Sequence, residues 1–450
     1  MPVKSEENLV YEDRIKNLSD DDIQVILRKL REKITSEYAA YMNTCAHCGL
    51  CADSCHYYLT DKDPKNIPAH KLGLITSVFK RLHDFVGKNL PFLVGSKPLT
   101  KEMVDEWIDS LFGRCTLCGR CAINCTMGIN IPYLIRIARG ALAELALVPP
   151  GLQSTVDTAI NKGNNMGISK EDWLETVEWL EEELQQEVDN AKASLPIDKK
   201  GSRLLYTINP REAMFFPLSI SAAGKVFYAA EESWTFSSEN FDVTNYGLYS
   251  GDDHAAGLMS KRLADALKEL GCQELILAEC GHGFNSNRWE AQEWLSQSYG
   301  FKVRSILEVI ADYIKEGRIK LDPAKNPQVV TLHDPCNLVR LGGIVEEQRF
   351  ILRHALENFV EMIPNRDKNF CCGGGGGQLA MTRFAERRIQ TGKIKADQIK
   401  ATGAKIVATP CHNCIDQLME LNKHYKLGIE IKTVTELAAN ALVLPTGSGK

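Results

Sequence analysis

Apolar positions at helical spacing open the chain: Ile23, Ile26, Leu27, Leu30, Ile34 and Tyr38 form one stripe, with Ser19 placed to cap it. The pattern predicts a helix from about Asp20 to Met42. Helical periodicity resumes between the cysteine clusters of residues 43–150. It returns in the acidic stretch Ser169–Leu195, which has a capping-box start at Ser169 and Asp172. Pro149, Pro150 and Gly151 precede that segment, so residues 151–200 read as a helical connector, with an acidic docking face as the alternative. Past Lys200 the pattern shifts to short β-branched runs alternating with helical segments and Gly-rich turns, which predicts an α/β arrangement.

The C-terminal part repeats itself. Ala264–Gly271 and Ala396–Gly403 share A-D-x-apolar-K-x-x-G, and each runs into an apolar strand that ends at a cysteine, Cys280 in one and Cys411 in the other. Upstream, Pro210 and Gly247 are spaced as Cys336 and Gly373 are. Motif and spacing together make residues about 201–300 and 325–440 two copies of one unit. The first copy lacks the cysteines of the second. Pro210 stands for Cys336, Asn245-Tyr246-Gly247 for Cys371-Cys372-Gly373, and Cys280-Gly281-His282-Gly283 for the Cys411-x-x-Cys414 pair.

Composition narrows the class. A chain of 450 residues suffices for two or three domains whose cores need no disulfide staples. It has no signal-peptide pattern and no apolar run of roughly 18 residues, so a cytoplasmic location without a membrane span is expected. In that compartment clustered thiols read as metal ligands. With 53 basic against 58 acidic residues and no sustained basic tract, neither nucleic acid nor an electrostatic hold on anionic lipid is expected.

The cysteines follow two grammars, which leave out only Cys272 and Cys280. CxxCxxCxxxC occurs twice, as Cys45, Cys48, Cys51, Cys55 and as Cys115, Cys118, Cys121, Cys125. Three thiolates at i, i+3 and i+6 surround one face of a small cluster, while the fourth cysteine points away; in two-cluster ferredoxins it ligates the other cluster. The expected ligand sets for two [4Fe-4S] cubanes are therefore Cys45, Cys48, Cys51 with Cys125, and Cys115, Cys118, Cys121 with Cys55. Gly49 and Gly119 let backbone N–H groups approach sulfur. Two zinc sites would instead call for separated CxxC pairs. His56 and Thr126 stand where proline usually follows the fourth cysteine. The second grammar is Cys336, Cys371-Cys372 followed by the glycines 373–377, and Cys411-x-x-Cys414. Adjacent cysteines cannot both address one iron, so Cys371 and Cys372 point to bridging or neighbouring irons. No GK[ST] follows the glycines, against a phosphate cradle.

This second pattern resembles the cysteine-rich CCG domain in catalytic subunits of heterodisulfide reductases, and the ferredoxin half completes the layout of their D-type subunit. The resemblance spans roughly residues 40–440. It implies a noncubane [4Fe-4S] cluster held by Cys336, Cys371, Cys372, Cys411 and Cys414, at which disulfides are reduced, and one such cluster because the first repeat is degenerate. Cys55-His56-Tyr57-Tyr58, Asp63-Pro64-Lys65-Asn66, Asn245-Tyr246-Gly247 and Glu279-Cys280-Gly281-His282 are similar to the K-type subunit of the membrane complex linked to dissimilatory sulfite reduction. They are similar also to subunits of multihaem cytochrome and benzoyl-CoA reductase complexes.

The expected architecture is α+β and multidomain: an N-terminal helix (1–42), an all-α two-cluster ferredoxin domain (43–150), the connector (151–200), a degenerate CCG repeat (201–324), a cluster-bearing CCG repeat (325–440) and a flexible tail (441–450). The expected function is an iron–sulfur oxidoreductase subunit of an anaerobic respiratory or energy-conserving complex, acting on a small or protein disulfide. A pure electron relay is the alternative. With no flavin or nicotinamide fingerprint, reductant must come from a partner such as a membrane cytochrome b or another iron–sulfur or flavin subunit, placing the chain at the inner face of the cytoplasmic membrane. Cys280 reads as an extra ligand, a redox thiol or structural filler, and Cys272 as filler. His282, His333 and His412 flank cysteines and are candidate proton donors, His282 first.

Overall fold

The computed structural model describes residues 6–296 and 298–444, without the side chains of 6–9; most of the expected tail, 445–450, lies outside it. Two compact units form. The first gathers 1–155, 246–253 and 373–394; the second holds 156–245, 254–372 and 395–450. The division thus cuts across the linear boundaries expected from sequence, because two later segments fold with the N-terminal part.

The first unit has helices joined by loops and no strand among its described residues. The N-terminal stripe is broken where one helix was expected: Asp20–Lys33 and Ser36–Thr44 are separate, with the β-branched pair Ile34 and Thr35 extended between them. Ser19 and Asp22 form a complete capping box, and Ile23, Ile26 and Leu30 are the buried face.

The second unit contains two four-stranded parallel sheets. β1 (Leu204–Thr207), β2 (Trp234–Thr235), β3 (Glu274–Leu277) and β4 (Lys302–Ser305) run in the order β2-β1-β3-β4. β5 (Val329–Leu332), β6 (Asn358–Glu361), β7 (Ile406–Ala408) and β8 (Glu430–Lys432) run β6-β5-β7-β8, the same order. Helices from the two halves pack reciprocally. Pro217–Ala229 of the first lies on Val434–Ala441 of the second, and Glu347–Ala355 of the second lies on Ile306–Lys315 of the first. A two-fold relation between repeats produces that exchange.

The expected connector is part of this core. Helix Lys170–Glu187 buries Trp173, Val177, Leu180 and Leu184 against Ile220, Phe236 and Phe241, and its acidic residues face out. Ser169 accepts from the Asp172 amide at 3.1 Å, which caps the helix. An amphipathic helix 18 residues long anchors itself by its apolar stripe whatever the charge of its other face.

Candidate functional site

In the first unit the two CxxCxxC loops share one backbone path. Each bends through positive φ at the second residue after its first cysteine (His47, 50°; Leu117, 53°) and again at a glycine (Gly49, 86°; Gly119, 77°). Nothing lies within 4 Å of a Cβ built on Gly49, so the glycine there serves the left-handed turn rather than space. Past each glycine a short helix carries the third cysteine inward. Cys55 lines one cavity together with Cys115, Cys118 and Cys121, as do His56, Lys71 and Thr116. His56 Nε2 and Thr116 Oγ1 are buried there without a hydrogen-bond partner among the described residues. Four thiols with orphaned polar atoms around them fit a bound iron–sulfur cluster. Cys45 and Cys48 act on Cys51, whose thiol is pushed up chiefly by burial. Cys48 is exposed.

The five glycines belong to the first unit. Gly376 has φ 65°, and a Cβ there would stand 2.6 Å from the Thr116 carbonyl carbon. Only glycine lets this chain pass so close to the loop that begins at Cys115.

In the second unit the cysteines of the second grammar converge at strand ends. Cys336 follows β5, Cys411 follows β7, and Cys414 lies one turn into the helix His412–Tyr425. Cys336 and Cys371 are 4.0 Å apart at sulfur, and Cys372 and Cys414 are 3.5 Å apart. All five are buried. The Cys411 thiol is held down by a hydrogen bond from Cys414 and by the amides of Gly281, Cys414 and Asn413, while Cys414 is pushed up by its bonds to Cys372 and Cys411. His333 places a ring nitrogen with the Cys372 and Cys414 sulfurs, all within 4.8 Å of one another, and its Nε2 has no partner among the described residues. Soft thiolates around an unsatisfied imidazole suit a thiophilic metal centre.

The stripped repeat faces this cluster of thiols. β3 ends at Leu277, earlier than the sequence suggested, and Cys280 starts the short helix Gly281–Asn285 as Cys411 starts its own. A Cβ on Gly281 would lie 3.2 Å from the Leu338 amide, two residues past Cys336. Cys280 is wholly buried; burial pushes its thiol up, and Cys411 adds to the shift. Its sulfur is 3.4 Å from His282 Nδ1 and 3.8 Å from Asn209 Nδ2. Cys272, by contrast, sits in the hydrophobic core.

Burial holds the candidate histidines neutral. His282 is pushed down to about 3 and His412 to about 4, and His333 also falls well below its usual range. None of them stores a proton at neutral pH. Two carboxyls that the sequence did not single out do so: burial raises both Glu212 and Glu279 to about 8. Glu212 Oε1 accepts from Ser219 Oγ at 3.0 Å and is 3.7 Å from His412 Nε2, which in turn is 3.4 Å from Ser219 Oγ. Glu279 accepts from the Val434 and Thr435 amides at 3.0 and 2.6 Å, and its carbonyl takes the His412 amide at 3.1 Å. Glu212 was visible as the last residue of an Asn209-x-x-Glu212 capping box; its approach to His412 was not. Lys395, also unforeseen, is buried beside Cys371, Cys372 and Cys414, with Nζ 2.7 Å from Asn369 Oδ1, and burial lowers it to about 8.

Comparison with known proteins agrees with this geometry. Residues 41–129 match the 4Fe-4S dicluster domain and residues 330–419 the cysteine-rich domain named CCG. The chain is 27% identical to the Hdr-like menaquinol oxidoreductase iron-sulfur subunit of Archaeoglobus profundus, over 94% of this chain and 83% of the relative. It is 26% identical to the D-type subunit of the dihydromethanophenazine:CoB–CoM heterodisulfide reductase of Methanosarcina mazei, over 92% and 97%. An EtfAB:quinone oxidoreductase of Syntrophomonas wolfei is 22% identical over 84% of this chain and 55% of that protein. Both cysteine-rich regions are thus matched by iron–sulfur domain models, and over nearly its whole length the chain is similar to iron–sulfur subunits that include a D-type subunit of heterodisulfide reductase.

Proposed function

We propose that this subunit carries electrons through two [4Fe-4S] cubanes, on Cys45, Cys48, Cys51, Cys125 and on Cys115, Cys118, Cys121, Cys55, to a noncubane [4Fe-4S] cluster on Cys336, Cys371, Cys372, Cys411 and Cys414. There a disulfide-type sulfur bond is cleaved or formed. One observation carries the reading: thiols from three loops of one repeat meet in a buried crevice that the other repeat closes with Cys280. When bound, the cluster supplies single electrons to sulfur. The protein supplies the rest. Two electrons and two protons convert one disulfide into two thiols, and two carboxyls hold protons at neutral pH: Glu212, 3.7 Å from His412 Nε2, and Glu279, bonded to Val434 and Thr435. His282 orients the Cys280 thiol. Electrons come from a partner subunit of quinol-oxidising type, in keeping with the relative named a menaquinol oxidoreductase subunit. Among the described residues no helix is long and apolar enough to cross a membrane.

The alternative, a relay that passes electrons onward without sulfur chemistry, is favoured by the burial of every crevice thiol. Iron analysis and EPR of the anaerobically isolated chain decide the cluster reading. About twelve irons are expected, falling to about eight in Cys371→Ser. About eight in both would remove the third cluster. Disulfides added to the dithionite-reduced protein are then expected to raise a new paramagnetic signal as its electrons pass to the sulfur bond; silence would favour the relay.

A further inference from the structure

Two cations are sealed inside the first unit with no carboxylate partner among the described residues. Lys71 is 1% exposed and Arg139 is 0% exposed. Lys71 Nζ donates to the Arg114 carbonyl and lies 5.5 Å from the Tyr57 ring centroid. Arg139 donates to carbonyls alone: Leu111 at 3.1 and 2.7 Å, Cys115 at 2.8 Å, Tyr249 at 2.7 Å and Gly376 at 3.0 Å. Neither forms an ion pair among the described residues. Arg114, which is less deeply buried, has two carboxylates, Asp63 at 2.7 Å and Asp109 at 2.6 Å. An uncompensated buried cation costs several kcal/mol, and carbonyl dipoles return part of that.

The missing negative charge has an address. Lys71 lines the cavity of Cys55, Cys115, Cys118 and Cys121, and both cations act on the Cys115 thiol. The loop of Cys45, Cys48 and Cys51 is different. The leading charges on Cys51 are the like charges of Cys45 and Cys48, and Cys48 is open to solvent. A four-iron cluster on four thiolates is anionic, and reduction adds one electron and one more negative charge without making or breaking a ligand bond. Fixed positive charge in a low-dielectric cavity therefore favours the reduced form.

We infer that Lys71 and Arg139 are the built-in counter-charges of the cluster held by Cys115, Cys118, Cys121 and Cys55, and that they make it the higher-potential member of the cubane pair. The exposed Cys45 loop then receives electrons from the partner, and transfer to the Cys115 cluster runs downhill. The inference rests on the two-cubane reading above, which iron analysis of the unmodified chain tests separately.

EPR-monitored redox titration of the full-length chain gives the answer. Cys118→Ser identifies the signal that belongs to this cavity. In the unmodified chain that signal is expected to titrate at the higher potential. Lys71→Met and Arg139→Met are each expected to disfavour its reduction at least tenfold, which is about 59 mV for one electron. The other cubane should not move, and Lys71→Arg and Arg139→Lys should stay near the unmodified value. A marked signal that is the lower of the two or does not move in the Met variants overturns the inference. So does an equal shift of both cubanes, or a charge-retaining variant that shifts as far as the neutral one. Should the Met variants lose iron, the charge-retaining pair decides: iron kept supports the counter-charge, and iron lost overturns it.

Discussion

At the scale of the residue, Cys280 shows how a side chain acquires meaning from its surroundings. As one of two cysteines outside the grammars it had three readings. In the folded chain its sulfur stands 3.4 Å from His282 Nδ1, and Cys411 contributes to its titration. Burial keeps this thiol protonated, so the redox role proposed for it requires that its proton first be taken up in the crevice before it exchanges with a sulfur bond opening there. Cys280→Ala is expected to leave the iron content unchanged and to abolish the signal raised by added disulfide; a surviving signal would return Cys280 to core filler. The histidines show the reverse. Proximity in sequence to cysteines made His282, His333 and His412 candidate proton donors, yet burial keeps all three neutral. Burial raises carboxyl affinity for protons by the same physics that lowers it in imidazole, so the stored protons fall to Glu212 and Glu279.

Among the elements, the strand-end loops matter most, because they set the thiols. The loop after β5 is tied down by Arg349, whose side chain is wholly buried in the helix Glu347–Ala355. Its Nη1 and Nη2 meet the Asp334 carboxylate at 2.8 and 2.7 Å, and Nε and Nη2 meet Glu361 of β6 at 2.8 and 3.0 Å. Asp334 lies two residues before Cys336 and also accepts the Arg366 amide at 2.7 Å. Arg349→Met leaves the buried Asp334 carboxylate without its guanidinium, while Glu361 keeps Arg366 at 3.6 Å, and is expected to cost about 3–5 kcal/mol in denaturant unfolding. The iron lost should be that of the Cys336 site alone; an unchanged midpoint would show the pair to be dispensable. Elements were legible in sequence where a local pattern suffices. The stripe of Ile23, Ile26 and Leu30, the cap at Ser19 and the acidic helix after Ser169 needed only periodicity. The break at the β-branched pair Ile34 and Thr35 was masked by the continuous apolar stripe, and the burial of the acidic helix through Trp173 depends on what it packs against.

The whole molecule departs from the linear order of its sequence. A ferredoxin domain ending near residue 150 was the natural expectation, but 246–253 and 373–394 fold with it. Those segments supply the Tyr249 and Gly376 carbonyls to Arg139 and pair Arg387 with Asp109 at 2.8 Å. A fragment of residues 1–155 is therefore expected to hold much less iron than the about eight of two cubanes. A fragment that keeps them, by iron analysis and EPR, would show the added segments to be ornamental. By itself the sequence determined the two cysteine loops, the repeat and its lost cysteines, because a loop's backbone path and a strand's or helix's periodicity are fixed by neighbours a few residues apart. The crossing of Cys55 to the Cys115 loop was readable from the motif, and the two line one cavity; only tertiary structure decided that Glu212 reaches His412 and that Lys71 and Arg139 are sealed with no carboxylate partner among the described residues. These are contacts between distant positions in a medium of low dielectric, where burial sets the charge of a group, and burial is not written at any one position.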